Sequence, residues 1–184
     1  MLARDSYRHG DLRQALLDAG LEMAREGGPD AVVLREATRR AGVSPNAAYR
    51  HFADRTELVE AVSDAAQSLV AAAIEAEWDA VPATLDPVES AHAHFRAVGR
   101  GYLGFARDEP GLFRSAFTVP RDLETALAPG KAGPGGRTSF QLLADALDEL
   151  VSVGSFPPER RPGAEFSAWS AVHGLAMLVL EGPL

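Results

Sequence analysis

Six residues between positions 44 and 51, Ser44, Asn46, Ala47, Tyr49, Arg50 and His51, combine small size with hydrogen-bonding groups. They open on a Ser-Pro pair in which Ser44 suits the N-cap and Pro45 the first helical position, where a missing N–H costs nothing. A short helix over residues 45–52 carrying such groups can enter the major groove of DNA N-terminus first. Its side chains then meet base edges and its unpaired backbone N–H groups favour phosphate. The same spacing also suits any three-helix core with a glycine in its turn, a reading that carries no chemistry.

Other reactive constellations are missing. The chain has no cysteine, which excludes disulfides, thiolate zinc sites and a cysteine nucleophile. His92 and His94 stand at i and i+2 and face different sides of a helix, so they do not make a metal pair, and no third ligand accompanies them. Asp, Glu and His are abundant, but no nucleophile elbow, phosphate loop or metal motif organises them. Neither an enzyme nor a bound metal or cofactor is expected.

Elements able to position the 44–51 segment follow from periodicity and caps. Leu12, Leu16, Ala19 and Met23 recur at helical spacing and predict a first helix ended by Gly27, Gly28 and Pro29. A second helix over 34–41 turns Leu34, Ala37 and Ala41 inward, and Gly42 supplies the tight turn before the third. Asp54 can cap a long fourth helix to about residue 78, striped by Leu58, Val62, Ala66, Leu69 and Ala73. Asp86-Pro87 repeats the cap-plus-proline signal before a fifth helix to about residue 107, with Val88, His92, Phe95, Val98, Tyr102 and Phe105 on its stripe. Gly99, Gly101 and Gly104 interrupt that helix at about 1 kcal/mol each, tolerable where a neighbouring helix or a ligand needs the space. A short helix follows over 110–117. Residues 118–136 then read as loop around a short turn at 122–127.

Two helices, over 138–153 and 162–180, close the chain. The last is apolar on two flanks, Phe166, Trp169, His173, Ala176 and Leu180 on one and Ala168, Val172, Leu175 and Val179 on the other. In a chain of this size the second flank points to another subunit. The fold class is therefore all-α.

Charge agrees with a division of labour. The 184 residues carry a formal net charge of −8, but residues 1–52 hold eight Arg against seven Asp or Glu, leaving ten basic against nineteen acidic residues in the remainder. A near-neutral head can meet phosphate while the acidic body is repelled. Seventeen of the basic residues are arginine and Lys131 is the one lysine. No run approaches the roughly 18 apolar residues of a membrane span, and the N-terminus lacks a secretory pattern, so a cytoplasmic protein without membrane contact is expected.

The runs Tyr7-Arg8-His9-Gly10-Asp11-Leu12-Arg13, Leu34-Arg35-Glu36-Ala37 and Ala41-Gly42-Val43-Ser44-Pro45-Asn46-Ala47-Ala48-Tyr49-Arg50-His51-Phe52 closely resemble the DNA-binding domain of TetR-family regulators. Ala168-Trp169-Ser170-Ala171-Val172-His173-Gly174-Leu175-Ala176 is similar to the Trp…His-Gly signature on the last helix of one ligand-domain group of that family. The resemblance implies a three-helix helix-turn-helix domain over 1–54 and a helical-bundle ligand-binding and dimerisation domain over 55–184. It places Tyr49 and His51 on phosphate and Asn46, Ala47 and Arg50 toward the groove, in a recognition helix spanning residues 44–51. Arg8 and His9 before the first helix and Arg55 at the fourth would clamp the DNA backbone. Among Arg35, Arg39 and Arg40, a solvated surface is the plainer reading, with Arg39 the best candidate for phosphate.

The resemblance also implies a small-molecule cavity among the C-terminal helices, for which Trp78, His92, Phe95, Tyr102, Phe105, Phe113, Phe117, Phe140, Trp169, His173 and Met177 are the candidates. Aromatic stripes are more often packing, so core and lining stay undivided at this level. A sensor predicts an internal cavity of about 300 Å³ or more, whereas an architectural DNA binder predicts a filled core. Three departures from the family pattern stand out. Val33 occupies the usual Ser or Thr cap of the second helix and weakens its start, Ala48 replaces a frequent proline and makes the third helix more regular, and the chain stops at Leu184 where relatives usually run on, so part of the dimer contact is expected to be absent. The implied function is a homodimeric repressor released from a palindromic double-stranded operator by a small-molecule effector.

Overall fold

The computed structural model describes residues 9–119, 127–182 and 184, with side chains from residue 12 onward. Among the described residues there are eight α-helices and no strand: α1 (His9–Gly27), α2 (Leu34–Arg40), α3 (Pro45–Ala48), α4 (Arg55–Asp79), α5 (Pro87–Asp108), α6 (Pro110–Ala116), α7 (Ser139–Ser152) and α8 (Ala164–Leu180). Helix starts follow the side chains that can cap them. Asp54 accepts from the Glu57 N–H, Asp86 from Val88 and Glu89, and Thr138 forms a reciprocal capping box with Gln141. At α2 the N-cap is Val33, which makes no side-chain bond. The turn expected at 122–127 lies, except for Leu127, outside the described residues.

Two apolar cores form. The first gathers Leu16, Met23, Val32, Ala37, Ala48 and Phe52 from the N-terminal helices, and it also takes Leu58, Val59 and Val62 from α4 and Leu112 from α6. The second joins Val70 and Ile74 of α4, Val98 and Tyr102 of α5, Phe113 of α6, and Leu142, Leu143 and Leu147 of α7. Helix α4 therefore runs through both, and α6 places adjacent residues, Leu112 and Phe113, one in each. Where α5 crosses α4, a Cβ on Gly101 would stand 2.5 Å from the Ile74 Cα, so this glycine marks backbone contact between helices. Gly99 and Gly104 have nothing within 4 Å of that position and face open space.

The α5 stripe is rotated from its expected position. His92 is exposed and Val88 is 45% exposed, whereas Ala91, Ala97, Val98, Gly101, Tyr102 and Ala106 are buried. The inward histidine is His94, whose Nδ1 lies 2.7 Å from Glu149 Oε2 of α7 and whose ring stacks on Trp78 at 4.2 Å. On α4, Leu69 is partly exposed rather than part of the buried stripe.

Candidate functional site

Helix α3 is shorter than its sequence suggests. Regular α-helix covers only Pro45–Ala48, and the chain then tightens, the N–H groups of Arg50 and His51 donating to Ala47 and Ala48 three residues back. Ala48 thus does not make the helix more regular. It is fully buried, as is Phe52, and these two contacts hold the segment against the N-terminal core. Gly42, at φ +67°, makes the preceding turn in a region that L side chains avoid, and Ser44 caps α3 by accepting from the Ala47 N–H at 3.4 Å.

With Ala48 and Phe52 turned inward, Ser44, Pro45, Asn46, Tyr49 and Arg50 are exposed, Tyr49 by 58%, and Ala47 and His51 are half-buried. The arrangement is a short rigid ledge of donors and acceptors above an apolar base. Its arginine surroundings are largely committed to protein partners. Arg39 pairs in bidentate fashion with Glu36, and Arg40 bridges Glu36 and Glu26. The paired guanidinium groups hold the Glu36 carboxyl down at about 2. Arg55 donates from Nε to the Val32 carbonyl at 2.7 Å and from Nη2 to the Pro29 carbonyl at 2.9 Å, bracing the turn before α2. Arg8 and the side chain of His9 lie outside the described residues.

In the C-terminal half a cavity of about 420 Å³ opens between α4, α5, α7, α8 and the loop that precedes α7. Five of the aromatic candidates line it: Phe95, Tyr102, Phe117, Phe140 and Trp169. The others do not. Phe113 is fully buried in the core, edge-on to Tyr102, and Met177 packs against the same cluster. Trp78 lies between the His94 ring and the Arg137 guanidinium, and Phe105 faces a more open groove between α4, α5 and α8. His92 points to solvent, on a different side of α5 from the buried Ala91 and Val98. Sequence reasoning missed Gln67, Lys131, Thr138 and Ser139, the polar lining. Lys131 did carry a signal, being the single lysine of the chain, but its burial depends on the path of a loop.

His173 stands behind the wall. A hydrogen bond of 2.8 Å joins its Nδ1 to the Tyr102 hydroxyl, and that hydroxyl accepts from Trp169 Nε1–H at 3.4 Å. Burial raises the Tyr102 hydroxyl well above its ordinary pKa, so it stays protonated, and burial lowers His173 below its ordinary range. The unfolded chain therefore takes up the histidine proton near pH 6.5, before the folded chain does. This contribution to stability is complete above that pH and falls as pH drops through the folded-state value. The denaturation midpoint of the wild type should decline more steeply between about pH 7 and about pH 5.5 than that of His173→Gln; parallel profiles would refute the assignment.

Among the described residues no group of His, Asp and Glu could hold a metal ion, and no helix is long and apolar enough to cross a membrane. Residues 16–62 match the model of the tetR family of bacterial regulatory proteins, and residues 95–184 match that of a tetracyclin repressor-like C-terminal domain. An uncharacterized HTH-type transcriptional regulator, TtgW, of Pseudomonas putida is 33% identical over 120 residues, spanning 61% of this chain and 87% of that protein. A solved structure of a protein with unknown function from a Rhodococcus species superposes with a TM-score of 0.74 at 26% identity, covering 97% of this chain and 88% of that one. The TetR family transcriptional regulator PfmR from Thermus thermophilus shares the fold, with a TM-score of 0.54 at 18% identity over 92% and 88% of the two chains.

Proposed function

Because the chain belongs to the TetR family of DNA-binding transcriptional regulators, we propose that it is a homodimeric repressor that leaves a palindromic operator when a small molecule fills the cavity. In this reading residues 1–54 read DNA and residues 55–184 dimerise and sense the effector. The observation that carries it is the exposed ledge of Ser44, Asn46, Tyr49 and Arg50 on a fully buried base, since a packed core has no use for it. Asn46 offers bidentate pairing to adenine, Arg50 bonds a base edge, and Tyr49 and His51 meet phosphate.

Helix α8 supplies the dimer contact. Only Ala176 is buried along it, whereas Leu175, Leu178 and Val179 are exposed, an apolar face that a two-fold partner would cover with the same residues. A dimer of this kind sets two α3 segments about 34 Å apart, one turn of DNA. The wild type should retard a duplex from upstream of its own coding sequence with two chains per duplex. Leu178→Arg, which charges the α8 face, should sediment as a monomer and lose the shift. A dimeric Leu178→Arg protein would remove α8 from the interface.

The cavity exceeds the roughly 300 Å³ that a sensor needs, which favours an effector over a purely architectural DNA binder. Release runs through α6. Phe117, just past its end, lines the cavity, and the Ala116 carbonyl accepts from Ser63 Oγ and Gln67 Nε2. At the other end Gly111 lies so close to the Ala24 and Arg25 carbonyls of α1 that a Cβ would not fit, and Glu109 pairs with Arg25 at 2.9 Å. A ligand that displaces Phe117 therefore moves α6 against α1 and shifts the dimer toward a spacing that no longer fits the operator.

A further inference from the structure

The single lysine of the chain, Lys131, lines this otherwise mostly apolar cavity and is 3% exposed. Burying an ammonium is costly unless opposite charge and hydrogen bonds compensate it. Asp64 on α4, with its side chain 30% exposed, supplies such a charge 4.0 Å from Nζ. The lysine thus sits between a partly solvated carboxylate and the cavity. Its loop is closed onto the start of α7 by the Gly133 N–H donating to the Arg137 carbonyl at 2.9 Å, which brings Thr138 and Ser139 to the same lining. These two open a 14-residue helix whose positive end adds to the field of the ammonium.

We infer that the effector is an amphiphilic organic anion: an aromatic or branched hydrocarbon body with one carboxylate or sulfonate head. The head pairs with Lys131 beside Thr138, and the body lies against Phe95, Phe140, Trp169 and Val172. This rests on the cavity being the effector site. A neutral hydrocarbon would gain nothing from a buried ammonium, and an anion entering a body that carries ten basic against nineteen acidic residues needs a local cation to hold it.

Two dyes of one ring system separate the terms: 8-anilinonaphthalene-1-sulfonate, an anion, and N-phenyl-1-naphthylamine, which lacks the sulfonate. Both are titrated by fluorescence against the full chain and its variants. Lys131→Met should weaken the anion about tenfold or more and leave the neutral dye within about twofold, which also reports folding. Asp64→Asn keeps the lysine and removes its competing carboxylate, so it should tighten the anion alone; this arm decides the matter if Lys131→Met does not fold. Anion and neutral dye responding alike to both variants would overturn the inference. Gly99→Leu tests the cavity itself, because a side chain there enters open space in the lining, and it should expel both dyes. Loss of both dyes in Gly99→Leu without any Lys131 or Asp64 effect would leave the cavity standing and overturn the anionic head alone. Both dyes surviving Gly99→Leu would overturn the cavity and the inference together.

Discussion

An Arg50→Ala dimer should bind its operator between about 30-fold and about 10⁴-fold more weakly than the wild type while melting at the same temperature. Arg50 is exposed, so its removal leaves both cores intact, and Ala48 and Phe52, buried on either side of it, fix the backbone from which it projects. Loss of an arginine contact to a base edge costs about 1–3 kcal/mol, and a symmetric dimer makes that contact twice. The control is Arg35→Ala, an exposed arginine on α2, which should change affinity little. Anisotropy titrations at several salt concentrations refine the reading. A base contact leaves the slope of log K against log salt unchanged, whereas a phosphate contact reduces it by about 0.9 for each arginine lost. Unchanged affinity would remove Arg50 from the DNA-contacting set.

Phe113→Ala should destabilise the protein by about 3–5 kcal/mol, a large part of a domain's total. The ring is fully buried, meets Tyr102 edge-on at 5.2 Å and lies 5.1 Å from Phe117, so its removal opens a void where the aromatic cluster joins α6. Leu112 beside it is buried in the N-terminal core, so the damage should pass to both halves of the molecule. Urea denaturation reads the effect directly, with Phe113→Leu as the milder comparison. A loss below about 1 kcal/mol would mean that α6 does not wedge the two cores together.

Most of the architecture was legible in the sequence because helix starts are local events. Ser44-Pro45, Asp54, Asp86-Pro87, Pro110 and Thr138 each supply the oxygen or the fixed φ that a first turn needs, and each begins a helix within a residue or two of the expected place. Val33 also behaves as read, an N-cap with no side chain to offer. What periodicity could not give is the rotation of a helix against its neighbours. Val88, His92 and Phe95 lie at helical spacing, yet the first turns of α5 leave Val88 and His92 in solvent and turn His94 onto Glu149 and Trp78.

The cavity illustrates the same limit from the other side. Aromatic residues at helical spacing divide into lining and core only after packing, which puts Phe117 and Phe140 in the wall and Phe113 behind it. Within the polar lining, Lys131 comes from a glycine- and proline-rich loop whose course is set by tertiary contacts. Ser68 Oγ donates to the Ala132 carbonyl at 2.6 Å, and the buried Glu75 carboxylate accepts from the Gly135 N–H at 3.0 Å. Nothing in the spacing of Lys131 announces its burial. The arginines near the recognition segment are similar: their number was legible, but not that Arg39, Arg40 and Arg55 hold protein partners.

Filling the cavity should release DNA. The anisotropy of a labelled duplex from the chain's own upstream region, bound by the wild-type dimer and titrated with 8-anilinonaphthalene-1-sulfonate, measures this release most directly. The duplex should be released over the same concentration range in which the dye fills the cavity, and Lys131→Met should shift both midpoints upward together. A duplex that stays bound while the cavity is saturated would contradict this mechanism.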